Sequence, residues 1–279
     1  MPNQAAADDI RSLGFAVGPL LGSGAMSAVY AIERLVPVEA EEGLAIKLLH
    51  PMHQENVELV LRFFNEQQAA QRVQHPAVIR VLDAGLIRGR PYLLLERCAT
   101  TLHQRAPTLS PAERLLITAQ VASGTLALHQ AGVVHRDLKP SNVMFSVTDR
   151  LAPKIIDLGL SKLMTPGTSL PVSTAQSELL GTPEYRAPEL WISAKDADAS
   201  SDVYSLGVIL YELMAGTLPF VAERESKLME LHLFEPPPAL LSAPLVIATF
   251  ISRMLAKKRC LRPSMAEVFE TLRAIAVVR

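Results

Sequence analysis

His135-Arg136-Asp137-Leu138-Lys139-Pro140-Ser141-Asn142 places an imidazole, a guanidinium, a carboxylate, an ammonium and a carboxamide within eight positions, beside a proline that fixes the backbone. This is the most specific string in the chain. Downstream, Lys154-Ile155-Ile156-Asp157-Leu158-Gly159 ends a hydrophobic strand in a carboxylate followed by a flexible glycine. That arrangement suits a magnesium ligand, although Asp-Leu-Gly by itself is equally a turn. Upstream, Ala45-Ile46-Lys47 sets a lysine in a hydrophobic strand, while Glu66 falls on the apolar stripe Leu59, Phe63, Glu66, Ala70 of the helix expected over 56–73. A strand lysine usually snorkels to the surface; here a buried ammonium and a carboxylate on an apolar face account for each other. Leu21-Gly22-Ser23-Gly24-Ala25-Met26-Ser27-Ala28-Val29 puts two glycines between strands, where backbone N–H groups can approach a phosphate chain. Alone, that pattern is more often only a turn.

The chain around these strings has 279 residues, 49% of them hydrophobic, enough to bury a sizeable core in one large domain or two modest ones. Its 27 basic and 28 acidic residues give a formal charge of −1, which removes the electrostatic case for a nucleic-acid or membrane-surface binder. Cys98 and Cys260 lie far apart and support neither a disulfide framework nor a cysteine metal site, so a cytoplasmic location is expected. Residues 1–9 lack the basic and apolar regions of a signal peptide, and no apolar run reaches the ~18 residues of a membrane helix.

Residues 1–13 read as a loosely ordered leader. Strands are expected over 15–21, 28–34 and 44–49, then over 78–84 and 92–96, with Arg88-Gly89-Arg90 as the turn between the last two. After Thr100 the pattern is helical. Ser110-Pro111-Ala112-Glu113 is a capping box with proline at the first helical position, and Gly132 is placed to end that helix in a left-handed conformation. Residues 163–176 lose all period, and further helices are expected over 202–214, 245–256 and 264–275. The fold class is therefore α+β. A small five-stranded antiparallel β lobe with one helix spans 14–98, and a larger, mainly helical lobe spans 99–279.

In this order, the Gly-rich loop, strand lysine, His-Arg-Asp loop and Asp-x-Gly element resemble the signature set of the protein kinase family. The likeness continues through Gly181-Thr182-Pro183-Glu184-Tyr185-Arg186-Ala187-Pro188-Glu189, Ser201-Asp202-Val203-Tyr204-Ser205-Leu206-Gly207 and Arg262-Pro263-Ser264, so it covers residues 15–275. It implies a bilobal kinase fold and transfer of phosphate from ATP to protein substrates, this chain's own activation segment (157–189) among them. By the resemblance, Asp137 is the catalytic carboxylate and Lys139 stands near the γ-phosphate. Lys47, held by Glu66, grips the α- and β-phosphates, and Asn142 and Asp157 hold Mg2+, or Mn2+ in its place. Leu21, Gly22 and Gly24 belong to the loop over the nucleotide. The adenine lies between Val29 and Ala45 above and Met144 below, with backbone groups of Glu96 and Cys98 as its hydrogen-bond partners and Leu95 as gatekeeper. The Cys98 thiol is left open, as either accessible or inert. Lys139 and Thr182 point to serine or threonine as the acceptor. Glu189 is expected to pair with Arg262, and Asp202 to cap the catalytic-loop backbone.

Three positions depart from the family pattern: Ser27 replaces the third loop glycine, Leu158 the usual phenylalanine, and Ala70 a bulkier helix residue. Arg136 implies a phosphate on the activation segment, with Thr174 favoured and Ser173 and Ser177 next. A kinase-like scaffold without activity conflicts with the complete set Lys47, Glu66, Asp137, Asn142 and Asp157. A small-molecule kinase conflicts with the peptide platform at 181–189. The style of the motifs resembles the bacterial branch of eukaryotic-type serine/threonine kinases, whose members often add a membrane helix and sensor domain. A freestanding enzyme and an excised catalytic region both remain open.

Overall fold

A computed structural model describes residues 4–35, 43–158, 162–163 and 182–277. The first lobe is built on one antiparallel sheet of β1 (Phe15–Ser23), β2 (Ser27–Arg34), β3 (Leu44–Leu49), β4 (Val81–Ile87) and β5 (Arg90–Glu96), in the order β1-β2-β3-β5-β4. Central β3 is buried along its whole length, and its two faces have different neighbours. Leu44, Ile46 and Leu48 join a cluster with Phe15, Ile32 and Leu94. Leu49 turns the other way, toward Phe63 of helix α2 (Val57–Gln71). Strand alternation therefore sends Lys47 to the α2 face along with Leu49.

Residues 4–12, expected within a loosely ordered leader, instead form helix α1 (Gln4–Ser12). Ala6 and Ile10 are fully buried against Phe15, Ile46 and Leu94. Buried Asp9 accepts from Arg90 Nη1 at 3.1 Å, and Arg90 Nε also donates to the Leu49 carbonyl. The apolar stripe of α1 is too short to show a period. What orders it is the apolar sheet face opposite α2 and an arginine from a distant strand. Asp9→Asn keeps an acceptor for Arg90 but removes the charge, and is expected to cost about 1–2 kcal/mol in denaturant unfolding.

Among the strand boundaries that differ from expectation, two have a clear physical cause. β4 starts at Val81, not at 78, because the backbone of residues 77–79 is claimed by the other lobe: Ile79 N donates to Ile155 O at 2.9 Å and Ile155 N to Ala77 O at 2.8 Å. Arg88 (φ 48°) and Gly89 (φ 78°) are both left-handed and make a two-residue hairpin turn, so β5 starts at Arg90 rather than at 92.

The second lobe opens with β6 (Cys98–Thr101), short helix α3 (Leu102–Arg105) and long helix α4 (Pro111–Gln130). The α4 cap forms in both directions, Ser110 N donating to Glu113 Oε2 at 2.8 Å and Glu113 N to Ser110 Oγ at 3.3 Å, and Gly132 follows its end at φ 74°. Then come β7 (Val133–Val134), β8 (Val143–Ser146), β9 (Pro153–Ile155) and β10 (Lys162–Leu163), with β8 between β6 and β9 and β10 beside β7. Helices α5 (Pro188–Ile192), α6 (Ala199–Ala215), α7 (Glu225–Phe234), α8 (Leu245–Met254) and α9 (Met265–Val277) complete the lobe around a core that includes Leu115, Tyr204, Leu206 and Leu272. Gly207 lets α6 lie directly on α8: a Cβ there would stand 2.9 Å from Met254 Cβ. None of the helices among the described residues is long and apolar enough to cross a membrane.

Candidate active site

The site lies where the sheet faces the short strands of the second lobe. Lys47 Nζ meets both oxygens of Glu66, at 2.8 and 2.6 Å, and Asp157 Oδ1 at 3.5 Å. Burial works against the ammonium, but Glu66 and then Asp157 outweigh it and hold its pKa above the ordinary value. Lys47 therefore stays charged, aimed between two carboxylates. Asp157 is likewise opposed by burial, but Lys47, His135 and Lys139 keep its carboxyl below the usual range.

The catalytic-loop string is shaped by one buried anion. Asp202, fully buried in α6, accepts from His135 N and Arg136 N, each at 2.9 Å, and contacts His129 Nε2 at 2.7 Å. Burial again opposes its charge, and these donors hold its pKa below the ordinary value. This capping role was expected; the participation of His129 was not, since nothing in α4 singles that histidine out. The two strained residues of the site, Arg136 (φ 71°) and Asp157 (φ 61°), flank the bonds that tie their loops together. Those bonds are His135 Nε2 to Ile156 O at 3.0 Å and Ile156 N to Asn142 O at 2.9 Å.

Asp137 is buried and fully engaged. Its Oδ1 accepts from Thr182 N at 2.7 Å and Thr182 Oγ1 at 3.1 Å, and its Oδ2 meets Lys139 Nζ at 2.8 Å. Lys139 also donates to Thr182 Oγ1 at 2.6 Å. The structure thus brings Asp137, Lys139 and Thr182 into one cluster. Farther along, Arg262 and Glu189 form the expected buried pair through two parallel bonds, Nη1–Oε1 at 2.8 Å and Nη2–Oε2 at 2.9 Å.

Asn142 Nδ2 donates to Asp137 O at 2.9 Å and to Asp137 Oδ2 at 3.2 Å, which turns its carbonyl oxygen away from Asp137. That oxygen and the partly exposed Asp157 carboxylate are hard donors. They fit a hard divalent cation. Among the described residues no cluster of three or more histidine, cysteine or acidic side chains could hold a metal by itself.

The strand register aligns the sheet face of the site. Val29 lies across from Lys47, Ala45 is two residues before it, and Leu95 is across from Ala45, so the four share one face. Met144 is half-buried on β8, and Gly22 pairs with Val29. At the connection between lobes, the Glu96 side chain does something the sequence did not announce: its Oε1 accepts from Arg80 N at 2.8 Å and from Lys154 Nζ at 3.0 Å, pinning the crossover to β9. Cys98 is buried, and burial, then Glu96, pushes its thiol up to about 12, so the thiol is inert at neutral pH. Gly159, Thr174, Ser173, Ser177 and Gly181 lie outside the described residues.

The protein kinase domain profile matches residues 15–272. The chain is 34% identical over 270 residues to serine/threonine-protein kinase pkn3 of Myxococcus xanthus, covering 92% of this chain and 48% of that protein. It is 33% identical over 256 residues to serine/threonine-protein kinase pkn2 of the same organism, covering 88% and 30%. It is 31% identical over 232 residues to serine/threonine-protein kinase PknB of Mycobacterium tuberculosis, covering 80% and 36%. The chain thus spans about half or less of the length of these curated relatives.

Proposed function

The chain belongs to the protein kinase family, and from that we propose that it transfers the γ-phosphoryl group of ATP to serine and threonine hydroxyls of proteins. The observation that carries this reading is the joint geometry of Lys47, Glu66 and Asp157 on one side and Asp137, Lys139 and Thr182 on the other. Phosphoryl transfer needs in-line positioning and neutralised charge more than covalent help. In our reading Lys47 binds the α- and β-phosphates, and Glu66 keeps its ammonium in place. Val29, Ala45 and Met144 enclose the adenine, whose hydrogen bonds go to main-chain groups of Glu96 and Cys98. Leu21, Gly22 and Gly24 close over the phosphates. Asn142 and Asp157 hold the divalent cation, which supplies charge neutralisation on the phosphate oxygens when bound. Asp137 orients the acceptor hydroxyl and takes its proton, and Lys139 faces the transferred group.

Thr182 supports a protein acceptor with a serine or threonine, because it links the peptide platform directly to Asp137 and Lys139. The relatives' names support the same class of acceptor. Autophosphorylation is part of the proposal. Arg136 is half-buried, its buried Nε has no partner among the described residues, and desolvation pulls its pKa down to about 10, a cation that a phosphate would satisfy. The test is incubation of the purified chain with labelled ATP, a generic basic protein and Mg2+ or Mn2+, followed by phosphoamino-acid analysis. Phosphoserine and phosphothreonine are expected on the substrate and on the chain itself. No transfer with either metal would overturn the reading in favour of a non-catalytic binding module.

A further inference from the structure

The tip of the Gly-rich loop is fastened to the connection between β3 and α2 by two side chains and one ladder bond. His50 Nε2 lies 2.9 Å from Gly24 O, and His53 Nε2 lies 3.1 Å from Ala25 O. A carbonyl can only accept, so each imidazole carries a proton on Nε2. His50 N adds a bond to Met26 O at 2.9 Å, and the tip closes on itself through Gly24 N to Ser27 O, also at 2.9 Å. His50 precedes and His53 ends the single turn Pro51–His53, with ring centroids 6.3 Å apart. Met26 adds an apolar hold, packing on the cluster of Leu49, Phe63 and Leu93 that Leu59 also covers.

This contact has a direct geometric consequence. In a planar trans peptide the C=O of one residue and the N–H of the next point in opposite directions, and no cis peptide bond occurs among the described residues. With the carbonyls of Gly24 and Ala25 turned to the histidines, the N–H groups of Ala25 and Met26 face the other way. Two successive amides directed to one side form the start of an anion-binding concavity. The loop tip also rests on the elements that carry Lys47 and Glu66, because β3 runs into the turn of the histidines and α2 supplies Phe63.

We propose that His50 and His53 are positioning residues that hold the Gly-rich loop in its phosphate-binding conformation, so that the seating of this loop and the seating of α2 are one event. The proposal rests on the reading of the chain as an ATP-dependent kinase. Neither histidine touches the reacting groups; each acts through a backbone carbonyl. Ser27 at the third glycine position fits this arrangement: it is buried, and a loop held at its tip does not need the extra freedom of glycine there.

The test compares the wild type with H50A/H53A and H50Q/H53Q. Glutamine is the chosen rescue because its Nε2–H₂ donor sits about as far from the backbone as the imidazole Nε2–H. In calorimetric titrations with Mg2+, the alanine pair is expected to bind ATP about ten-fold more weakly, from two lost neutral hydrogen bonds, while adenosine, which has no phosphate, binds as in the wild type. The glutamine pair should recover most of the ATP affinity. Equal weakening for ATP and adenosine, or no recovery with glutamine, would overturn the latch. Hydrogen exchange of a peptide spanning residues 21–29 in nucleotide-free protein reads the same contact without ligand. Faster exchange with alanine and restored protection with glutamine support the latch, and unchanged exchange overturns it alone. A wild type that binds no ATP overturns the kinase reading and the latch's nucleotide role together.

Discussion

Asp137→Asn is expected to lower kcat by about 10²–10⁴-fold while leaving ATP binding nearly intact, the range for losing a positioned general base. The wild-type carboxylate is surrounded by donors: two from Thr182 on Oδ1, and Lys139 and Asn142 on Oδ2. An asparagine must present its NH₂ to one of these pairs, whichever way it sits. The substitution therefore removes the proposed proton acceptor and also sets like against like, pushing Lys139 or Thr182 off its position. A modest stability loss of about 1–2 kcal/mol accompanies it. Steady-state assays with labelled ATP and a thermal melt separate the two effects. The catalytic loss should exceed anything the small melting shift accounts for, and KM for ATP should stay within a few-fold because Lys47, Glu66 and Asp157 are untouched. A variant that retains a tenth of wild-type turnover would show that Asp137 is not the acceptor of the hydroxyl proton.

Arg262→Ala carries the largest expected stability effect, about 3–5 kcal/mol, the cost of leaving one member of a buried ion pair alone. Besides its two bonds to Glu189, Arg262 caps three main-chain carbonyls: Ala256 O at 2.8 Å, Ser200 O at 2.9 Å and Lys257 O at 3.3 Å. Its guanidinium also stacks 4.9 Å from the Tyr204 ring. Truncation leaves the Glu189 carboxylate buried with Ser201 Oγ, at 2.7 Å, as its remaining side-chain partner among the described residues. Arg262→Lys restores charge but not the planar fork, so it should recover less than half of the loss. Replacing both partners, as in Glu189→Gln with Arg262→Met, should cost less than Arg262→Ala alone, because no buried charge is then orphaned. Denaturant unfolding of the three variants checks that ranking. If Arg262→Ala unfolds like the wild type, the pair does not hold the α5–α6 junction together.

Much of the site was readable because its chemistry is written in short contiguous strings. The α4 cap is legible from four adjacent residues, since both of its bonds span three positions. The pairing of Lys47 with Glu66 was legible for a different reason: each is anomalous on its own element, a charge on an apolar strand and a charge on an apolar helix stripe, and a buried charge demands a partner. Glu189 with Arg262, and Asp202 with the loop at 135–136, could be named only through family resemblance. No local pattern connects residues so far apart.

Where expectation and structure part, the missing information was a partner on another element. Residues 4–12 carry three alanines and an isoleucine that mean little until a bare sheet face and Arg90 stand beside them. Glu96 reads as a strand-end carboxylate until β9 brings Lys154 to it. Nothing in their own stretch of sequence marks His50 and His53 until the β2–β3 register carries the loop carbonyls over them. By itself, then, the sequence determined the five strands of the first sheet, the helix between the third and fourth of them, the capped helix from Pro111, and the short strings that carry the candidate site. It did so because period, caps and motifs act over a few residues. Only the tertiary structure decided that Asp9 meets Arg90 and Glu96 meets Lys154, how the lobes are tied at residues 77–79 and 155, and which side chains the carbonyls of Gly24 and Ala25 meet. Those choices depend on register and packing between segments, and a buried polar group requires some partner without specifying, in its own neighbourhood, which one.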